Sequence, residues 1–240
     1  MRFNALNGGF PMTRLLYALA GADKARQFSP HVWKTVMSLA HKGLDYRTVC
    51  VGFTEIPAIE NGVTATVPLL RDGDRLVRDS FDIALYLDEA YPDRPTLFGG
   101  EGGKAMARFI EAWSQSTLHM AVTRIAILDI HDLLGPVDRD YFRRSREAHL
   151  GAPLEDIAAA GKQEIEGFAR KLQPLRNMLK MQPFIGGGGP LFADYIVFGA
   201  LQWLRTTSGT KVLEVEDPVA QWFERCLDLH GSAGRRVTAA

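Results

Sequence analysis

The first eighty residues alternate between strand-like runs and amphipathic helical stripes. Residues 15–20 are an apolar run of strand length, and residues 44–51 also have the pattern of a strand. Between them, Ser29 and Pro30 start a helix, because serine accepts hydrogen bonds from first-turn N–H groups and proline suits the first helical position. An apolar stripe continues to Gly43, which ends the helix. The pattern predicts a strand, a helix and a second strand.

A hairpin and another helix follow after an irregular segment. Residues 67–71 and 75–78 flank Asp72-Gly73, and Asp-Gly between such runs is a strong hairpin signal. A helix with one apolar face then ends before Pro92. A parallel unit followed by a hairpin and a helix is the thioredoxin-like arrangement.

Beyond residue 99 the pattern becomes entirely helical. The glycine-rich residues 99–103 predict a linker. Pro174 should kink or split the third helix after it. The predicted helices cover residues 104–134, 138–150, 154–181, 191–207 and 217–230. The predicted fold class is α/β plus all-α, with a thioredoxin-like domain at residues 13–97 and an all-helical bundle at residues 104–232.

Composition and charge exclude several classes of protein. The 240 residues include 28 basic and 28 acidic ones, so the net charge of zero provides no basic face for nucleic acid or an acidic membrane. Cys50 and Cys226 fit no metal-binding or redox spacing and make no disulfide scaffold. No apolar run reaches the ~18–20 residues of a membrane helix. We therefore expect a cytoplasmic protein without a metal site.

The amino terminus allows a competing interpretation. Arg14 precedes the apolar residues 15–22, which end in Ala-Gly-Ala and imitate a secretory signal with its cleavage site. The alternative, a first buried strand, agrees better with the rest of the chain. Residues 1–11 are glycine-rich and without period, which indicates a tail or an overlong translation start, and Met12 is a plausible true start.

Four motifs, in this order and spacing, resemble the glutathione S-transferase family over residues 13–229. They are FSPHVWK at residues 28–34, TVPLL at 66–70, DSFDIALYLD at 79–88 and FADY at 192–195. The Ser-Pro-x-x-Trp opening, with GFT at 52–54 and LDIHDL at 128–133, resembles the bacterial β-aryl etherase type and its fungal serine-type relatives. The resemblance implies that glutathione is the co-substrate and that no metal takes part.

Ser29 is the candidate catalytic residue that the resemblance implies. Its hydroxyl would donate to the glutathione thiolate, and the partial positive charge of the helix N-terminus also favours the thiolate, which is the nucleophile. By its local sequence alone, Ser29 is simply an N-cap. His31 and Trp33 belong to the same motif and are further candidates for the glutathione site, although His31 also fits an ordinary helix surface.

Two more motifs imply contacts with the rest of glutathione. Thr66, Val67 and Pro68 resemble the turn with a cis-proline, whose preceding residue pairs through its backbone with the cysteinyl unit. Proline at the start of a strand is also tolerated without any function. Asp79 and Ser80 resemble the acidic-serine pair that holds the γ-glutamyl ammonium and carboxylate groups, although the same pair is also a good N-cap.

The sequence does not identify the residue that would bind the glycyl carboxylate of glutathione. Many relatives carry Lys or Gln, or a basic residue nearby, where this chain has Thr66. His41, Lys42 and Arg47 are the candidates, and the sequence does not choose between them.

Two other polar groups are assigned to structure. Asp194 resembles the buried acid of a helix-start motif, but Leu191 stands where the capping Ser or Thr would be, so half of the capping box is missing. Asp129, His131 and Asp132 have spacings that do not gather on one helix face, so we interpret them as a solvated face or a local polar network.

The pocket for a second substrate should lie between the domains. Trp113, Thr117, Met120 and Arg124 recur at three- and four-residue steps and could line it, although such stripes are mostly core. The predicted reaction is attack of the glutathione thiolate on a hydrophobic, aromatic electrophile, and the etherase branch adds aryl ether cleavage as a candidate. The alternative is a protein that binds glutathione or aromatic ligands without turnover.

The resemblance also implies a two-fold homodimer. Phe109, Trp113, Met120 and Ile127 are spread around the predicted helix 104–134, which provides more apolar surface than one core-facing stripe requires. The alternative is a thick monomeric bundle that buries all four.

Overall fold

The computed structural model describes residues 14–240, so the interpretation of residues 1–11 and of Met12 lies outside the described residues. The first part of the chain forms a thioredoxin-like unit. Its elements are β1 (Arg14–Leu19), α1 (Pro30–His41), β2 (Tyr46–Val51), a 3-10 segment (Phe53–Gly62), β3 (Leu69–Asp72), β4 (Arg75–Arg78) and α2 (Ser80–Ala90).

The sheet has the strand order β2-β1-β3-β4. β1 pairs parallel with β2, where Leu16 is opposite Thr48, and antiparallel with β3, where Leu16 is opposite Leu70. β3 and β4 form the predicted hairpin. The thioredoxin-like arrangement is confirmed. The stretch that imitates a secretory signal is the central strand, so a cleavage after Ala22 would remove the middle of the sheet.

The rest of the chain forms a helical unit. Its elements are α3 (Glu101–Trp113), a π-helical segment (Ser114–His119), α4 (Met120–Leu133), α5 (Pro136–Leu150), α6 (Leu154–Ala159), α7 (Gly161–Lys171), α8 (Gln173–Leu179), α9 (Phe192–Thr207), α10 (Pro218–Ser232) and a short 3-10 segment (Ala233–Arg236). The region around Pro174 is split as predicted, since α7 ends at Lys171 and α8 begins at Gln173.

The glycine-rich segment at residues 99–103 differs from the predicted linker. Helix α3 already begins at Glu101, and Gly100 takes a positive φ of 106° that other residues rarely adopt. A Cβ at Gly103 would lie 1.7 Å from the carbonyl oxygen of Phe98. These glycines therefore allow a tight turn and a close approach, and their abundance does not indicate a flexible chain.

The predicted helix 104–134 is continuous but not regular. Residues 114–119 form a π-helical turn between α3 and α4. A π turn inserts extra residues into the helical period, so side chains after it point in a different direction from those before it. This change of direction affects which residues of the predicted helix 104–134 face the cleft between the two units.

Close backbone contacts fix the helical unit against the thioredoxin-like unit. A Cβ at Gly199 of α9 would lie 2.5 Å from the carbonyl oxygen of Pro30, at the start of α1. The N–H group of Ala22 donates to the carbonyl of Leu133 at 2.9 Å, and a Cβ at Gly21 would lie 2.3 Å from that oxygen. These glycines let α4 and α9 approach β1 and α1 closely, which sets the width of the cleft between the units.

Asp194 holds the loop before α9 in place. The carboxylate is fully buried, and it accepts hydrogen bonds from the N–H groups of Ile185, Gly186 and Leu191 and from the indole of Trp222, at 2.7–3.0 Å. These contacts agree with the folding role that we predicted for Asp194. Within residues 14–240, no helix is long and apolar enough to cross a membrane.

Candidate functional site

Ser29 lies at the start of α1, where it opens onto a cleft of about 490 Å³ between the two units. Its Oγ accepts from the N–H group of Val32 at 3.4 Å, so the hydroxyl caps the helix through a lone pair. The hydroxyl proton has no acceptor among the residues described. Capping and donation to a ligand use different parts of one hydroxyl, and Ser29 is therefore able to do both.

The two units supply opposite walls of this cleft. The thioredoxin-like wall contains Leu19, Phe28, Ser29, Pro30, His31, Phe53, Ile56, Pro57, Ala65, Thr66 and Val67. The helical wall contains His119, Met120, Thr123, Ile127, Ile130, Tyr141, Phe142, Arg146, His149, Leu150 and Trp203. Both walls are rich in aromatic side chains, which favours a hydrophobic, aromatic ligand.

The Val67–Pro68 peptide bond is cis, which confirms that part of the prediction. Val67 lines the cleft, and its backbone N–H group donates to no protein group in the described part of the chain. Thr66 is exposed and lies on the border between the cleft and a neighbouring groove of about 710 Å³. The two cavities therefore meet beside Val67.

Asp79 lines that neighbouring groove and caps α2. Its Oδ1 accepts from the N–H groups of Phe81 at 2.7 Å and Asp82 at 3.3 Å, whereas Oδ2 has no partner among the described residues. The backbone of Asp79 has a φ of 67°, which costs a non-glycine residue of the order of 1–3 kcal/mol. The next residue, Ser80, is buried with a hydroxyl that bonds to no described group. An unpaired carboxylate oxygen and an unpaired hydroxyl thus lie at one helix start.

His31 reaches the cleft, and a buried ion pair lies behind it. Lys34 is fully buried, and its Nζ lies 2.7 and 2.9 Å from the two carboxylate oxygens of Glu111 on α3. The same Nζ lies 3.1 Å from Nδ1 of His31. Burial, reinforced by the Lys34 charge, lowers the pKa of His31 to about 3. Burial also lowers the pKa of Lys34, while Glu111 and Asp79 oppose that change.

His119 lies beside His31 on the helical wall. The two ring centroids are 5.2 Å apart, and Trp203 packs on the other side of His119 at 5.8 Å. Nε2 of His119 is buried and has no hydrogen-bond partner within residues 14–240. Burial, with the neighbouring His31 and Lys34, lowers its pKa to about 3. Both imidazoles are therefore neutral near pH 7.

An aromatic cluster with one arginine forms the far side of the cleft. Phe53 packs against Phe142 at 5.6 Å and Tyr141 at 6.2 Å between centroids. The guanidinium of Arg146 lies 5.5 Å from the Phe53 ring and 5.0 Å from the Phe142 ring. Burial lowers the pKa of Arg146. No carboxylate pairs with it in the part of the chain that the structure describes, so Arg146 is able to bind an anionic group.

Four of the residues predicted for glutathione do not line the cleft. Trp33 lies in the core, because it is two positions from His31 and faces the opposite side of α1, where it packs on Phe198. The glycyl-carboxylate candidates His41, Lys42 and Arg47 lie beyond the other end of α1 or on β2, and none of them lines the cleft. A 12-residue helix is about 18 Å long, so both ends cannot touch one small ligand.

Of the stripe predicted for the second substrate, one residue lines the cleft. Met120 lines the cleft, but Trp113, Thr117 and Arg124 do not. Arg124 pairs with Glu164 of α7 at 2.5 Å. The residues of this part of the chain that line the cleft are His119, at the end of the π-helical turn, and Met120, Thr123, Ile127 and Ile130 of α4.

Among residues 14–240, no group of three His, Cys, Asp or Glu side chains is arranged to hold a metal ion. The imidazole of His131 lies 3.0 Å from a carboxylate oxygen of its neighbour Asp132, which fits a local polar network. Cys50 and Cys226 are both unpaired.

Two family models cover most of the chain. The N-terminal domain of glutathione S-transferase matches residues 28–90, and the C-terminal domain of glutathione S-transferase matches residues 105–229. The chain belongs to the glutathione S-transferase family. Its mixed sheet with helices followed by a helical domain is the glutathione S-transferase fold.

Three similar proteins come from fungi. The glutathione transferase GSTFuA3 of Phanerochaete chrysosporium superposes with a TM-score of 0.80 at 25% identity, covering 92% of this chain and 97% of that one. A Ceriporiopsis subvermispora glutathione S-transferase, solved in complex with glutathione, has a TM-score of 0.70 at 25% identity over 93% of this chain and 94% of that one. The glutathione S-transferase-like protein ustS of Aspergillus flavus is 25% identical over 77% of this chain and 76% of its own length.

The sequence motifs gave no role at the candidate site of this glutathione S-transferase to several residues that the structure places there. Lys34 and Glu111 are separated by 77 positions, and only the packing of α1 against α3 brings them together. A lysine inside the apolar stretch at residues 32–37 was a usable signal, because a buried lysine requires a partner. His119 and Arg146 carry no such local signal.

Proposed function

We propose that this glutathione S-transferase uses Ser29 to stabilise the thiolate of glutathione for attack on a hydrophobic, aromatic electrophile. The observation that carries the proposal is the Ser29 hydroxyl, which caps α1 through its lone pair and has a proton without an acceptor at the cleft surface. The N-terminus of α1 adds its partial positive charge at the same point. Together they favour the anionic sulfur.

The arrangement of the two cavities supports an extended position for glutathione. The γ-glutamyl end would occupy the groove at Asp79, with its ammonium on Oδ2 and its carboxylate on the hydroxyl and N–H group of Ser80. The cysteinyl unit would pair with the backbone of Val67, where groove and cleft meet. The sulfur would then reach Ser29.

Arg146 is our candidate for the glycyl carboxylate. It replaces His41, Lys42 and Arg47, which lie away from the cleft. Its guanidinium has no carboxylate partner in the described chain and lies over the ring of Phe53, at the beginning of the segment that borders the cleft. A carboxylate there would be held by a charge-assisted hydrogen bond.

The second substrate would lie against the helical wall. Met120, Ile127, Tyr141 and Phe142 provide an apolar and aromatic surface that faces Ser29 across the cleft. In aryl ether cleavage, the thiolate would form a C–S bond with the carbon next to the ether oxygen, and the C–O bond would break with its electron pair on the departing aryloxide. The likeness to the β-aryl etherase and fungal serine-type branch makes this reaction the first one to test.

The decisive experiment is an activity screen at saturating glutathione with aryl halides, epoxides and β-aryl ether model compounds. We expect conjugation of at least one aromatic class, at a rate that falls when Ser29 is replaced by alanine. Titration calorimetry with glutathione runs in parallel. Binding of glutathione without turnover of any electrophile would instead establish the non-catalytic binding protein.

A homodimer is part of this proposal. Of the four residues expected at its interface, Ile127 is buried in its own subunit and Trp113 packs against the core. Phe109, however, is 67% exposed on α3, with Met106 at 47% on the same helix. Exposed apolar side chains of this size favour a partner surface. Light scattering should give the mass of two chains, and Phe109→Glu should shift it towards one.

A further inference from the structure

The imidazoles of His31 and His119 form a polar patch where the start of α1 faces the helical wall of the cleft. Their ring centroids are 5.2 Å apart, and Trp203 of α9 packs on His119. His119 and Trp203 belong to the helical wall, opposite Val67 and the groove at Asp79. The patch therefore includes one residue from each wall of the cleft, and His119 belongs to the wall against which we place the second substrate.

Lys34 fixes the proton position of His31. An ammonium group has three N–H donors and no lone pair. Around Nζ of Lys34 there are three acceptors, namely the two carboxylate oxygens of Glu111 at 2.7 and 2.9 Å and Nδ1 of His31 at 3.1 Å. Nδ1 must then accept, so neutral His31 carries its proton on Nε2. This N–H group has no protein partner within residues 14–240.

His119 adds a second unsatisfied polar atom. The residue is 8% exposed, and its buried Nε2 bonds to nothing in the described chain. Burying such an atom without a partner costs about 1–3 kcal/mol, which a ligand that supplies one would recover. The pKa values of both histidines are lowered to about 3 by burial and by Lys34, so neither brings a positive charge to the patch near pH 7.

The charge of Lys34 is already matched by Glu111, so the patch has hydrogen-bonding capacity without net charge. Neutral imidazoles of this kind suit an uncharged acceptor oxygen. On an aromatic electrophile this oxygen would be a ketone or an ether, and a ketone next to the reacting carbon also activates that carbon towards the thiolate.

We propose that His31 and His119 form a subsite for the ketone or ether oxygen of an aromatic second substrate, with Lys34 and Glu111 as positioning residues for His31. This subsite rests on the proposed glutathione transferase function. It narrows the substrate class from hydrophobic aromatic electrophiles to those with a neutral acceptor oxygen beside the reacting carbon.

The test compares two ligands of the same shape. The enzyme is saturated with S-methylglutathione, which cannot react, and calorimetry measures the binding of 2-phenoxyacetophenone and of its analogue with C=CH₂ in place of C=O. We expect wild type to bind the ketone roughly three- to tenfold more tightly, which is the effect of one neutral hydrogen bond. His31→Leu should bring the ratio to about one, and His31→Gln, which keeps an N–H donor, should retain part of the preference. His119→Phe keeps the packing on Trp203 and should also lower the ratio.

The outcomes distinguish a failure of the proposed glutathione transferase function from a failure of the histidine subsite alone. If wild type fails to bind S-methylglutathione, the proposed function itself is wrong. If it binds S-methylglutathione but shows no preference for the ketone, or if the preference survives in His31→Leu, the subsite is overturned while the glutathione transferase function stands.

The positioning role has a spectroscopic test. In ¹⁵N-histidine NMR spectra, His31 of the wild type should be the neutral tautomer with the proton on Nε2. Glu111→Gln removes the charge that keeps Lys34 protonated and should populate the Nδ1–H tautomer. Because Lys34 is fully buried, this substitution also lowers the stability of the protein, so the spectra are recorded where urea unfolding shows that the variant is folded. Gln115→Ala is the matched control: Gln115 also contacts Glu111, at 3.0 Å, but carries no charge, so the tautomer should not change. An Nδ1–H tautomer in wild type would refute the positioning role.

Discussion

The two ends of α1 carry the same types of side chain in different surroundings, and we refer to the start as the functional end, after its proposed role, and to the other as the structural end. At the start, His31 and Lys34 lie next to Ser29 and the cleft. At the end, His41 and Lys42 lie among α2, α9 and α10. Both lysines are almost completely buried, and each is paired with one carboxylate. Residue type and burial alone therefore do not separate the functional end from the structural end.

Hydrogen-bond satisfaction does separate them. At the structural end, the hydroxyl of Tyr195 lies 2.6 Å from Nδ1 of His41 and 2.8 Å from Nε2 of His230, and Lys42 bonds to Asp88 at 2.5 Å. At the functional end, the Ser29 proton and Nε2 of both His31 and His119 lack protein partners among the described residues. Unsatisfied polar atoms in the side chains that line a cleft are open to a ligand, whereas the polar atoms named at the other end already bond within the protein.

The largest expected effect tests the structural end. Lys42→Met removes the partner of Asp88, and breaking a buried ion pair costs about 3–5 kcal/mol. Asp88 keeps hydrogen bonds from Thr96 and the N–H group of Leu97, so we expect the lower end of that range. Urea unfolding measures the loss, and turnover per folded molecule should stay unchanged. A loss of turnover in folded Lys42→Met would erase the distinction between the two ends.

Ser29→Ala tests the functional end. Removing one donor to the sulfur anion should lower turnover by about one to three orders of magnitude and leave glutathione affinity within a few-fold, since the tripeptide is held mainly at its ends. Ser38→Ala is the matched control, because Ser38 is buried on the same helix and its hydroxyl bonds only to the Lys34 carbonyl at 2.8 Å. Full conjugation rates in Ser29→Ala would contradict the catalytic assignment.

The groove at Asp79 should respond through binding. Asp79→Ala and Ser80→Ala should raise the KM for glutathione by about tenfold and change kcat only a few-fold, because these groups contact a part of the ligand that does not react. Asp79→Ala also loses a helix cap worth about 1 kcal/mol, so urea unfolding accompanies the kinetics. Unchanged glutathione affinity in both variants would place the γ-glutamyl site elsewhere.

The smallest effect concerns pH and the structural end. Burial, together with His41, lowers the pKa of His230 to about 4, from an ordinary value of 6.5. The unfolded chain therefore takes up the proton first as the pH falls, and stability present at pH 7 is lost between pH 6.5 and about 4. His230 is partly exposed, so we expect its contribution between pH 7 and 5 to be only about 1 kcal/mol. His230→Gln should reduce the loss of unfolding free energy between pH 7 and 5 by that amount, as measured by urea unfolding. Identical pH curves for the wild type and the variant would show that His230 makes no contribution to this loss.

The positions of the candidate residues in the thioredoxin-like unit could be predicted because they depend on local features. Ser29, Val67 and Asp79 each lie at a helix start or next to a strand start, and a few neighbouring residues specify such positions. The sequence pattern also contained the hairpin at Asp72-Gly73 and the split near Pro174. In each case the relevant contacts span only a few residues of the chain.

The helical half could not be derived in the same way. A regular period through Trp113 and Thr117 does not continue past residues 114–119, because the π-helical turn changes the direction of every later side chain. His41 and Lys42 have the charge expected for a carboxylate site, yet the length of α1 places them away from it.

Neighbouring residues were enough to predict the order of strands and helices along the chain, Ser29 at a helix start and the pair of Asp79 and Ser80 at another. Short-range hydrogen bonding and hydrophobic periodicity specify these features, and both act between residues that are close in the chain. The contact of Lys34 with Glu111, the position of His31 beside His119 and that of Arg146 at the cleft follow from tertiary packing instead. These contacts depend on how closely helices approach one another, and that distance is set by packing at glycines such as Gly199, far along the chain from the residues it brings together.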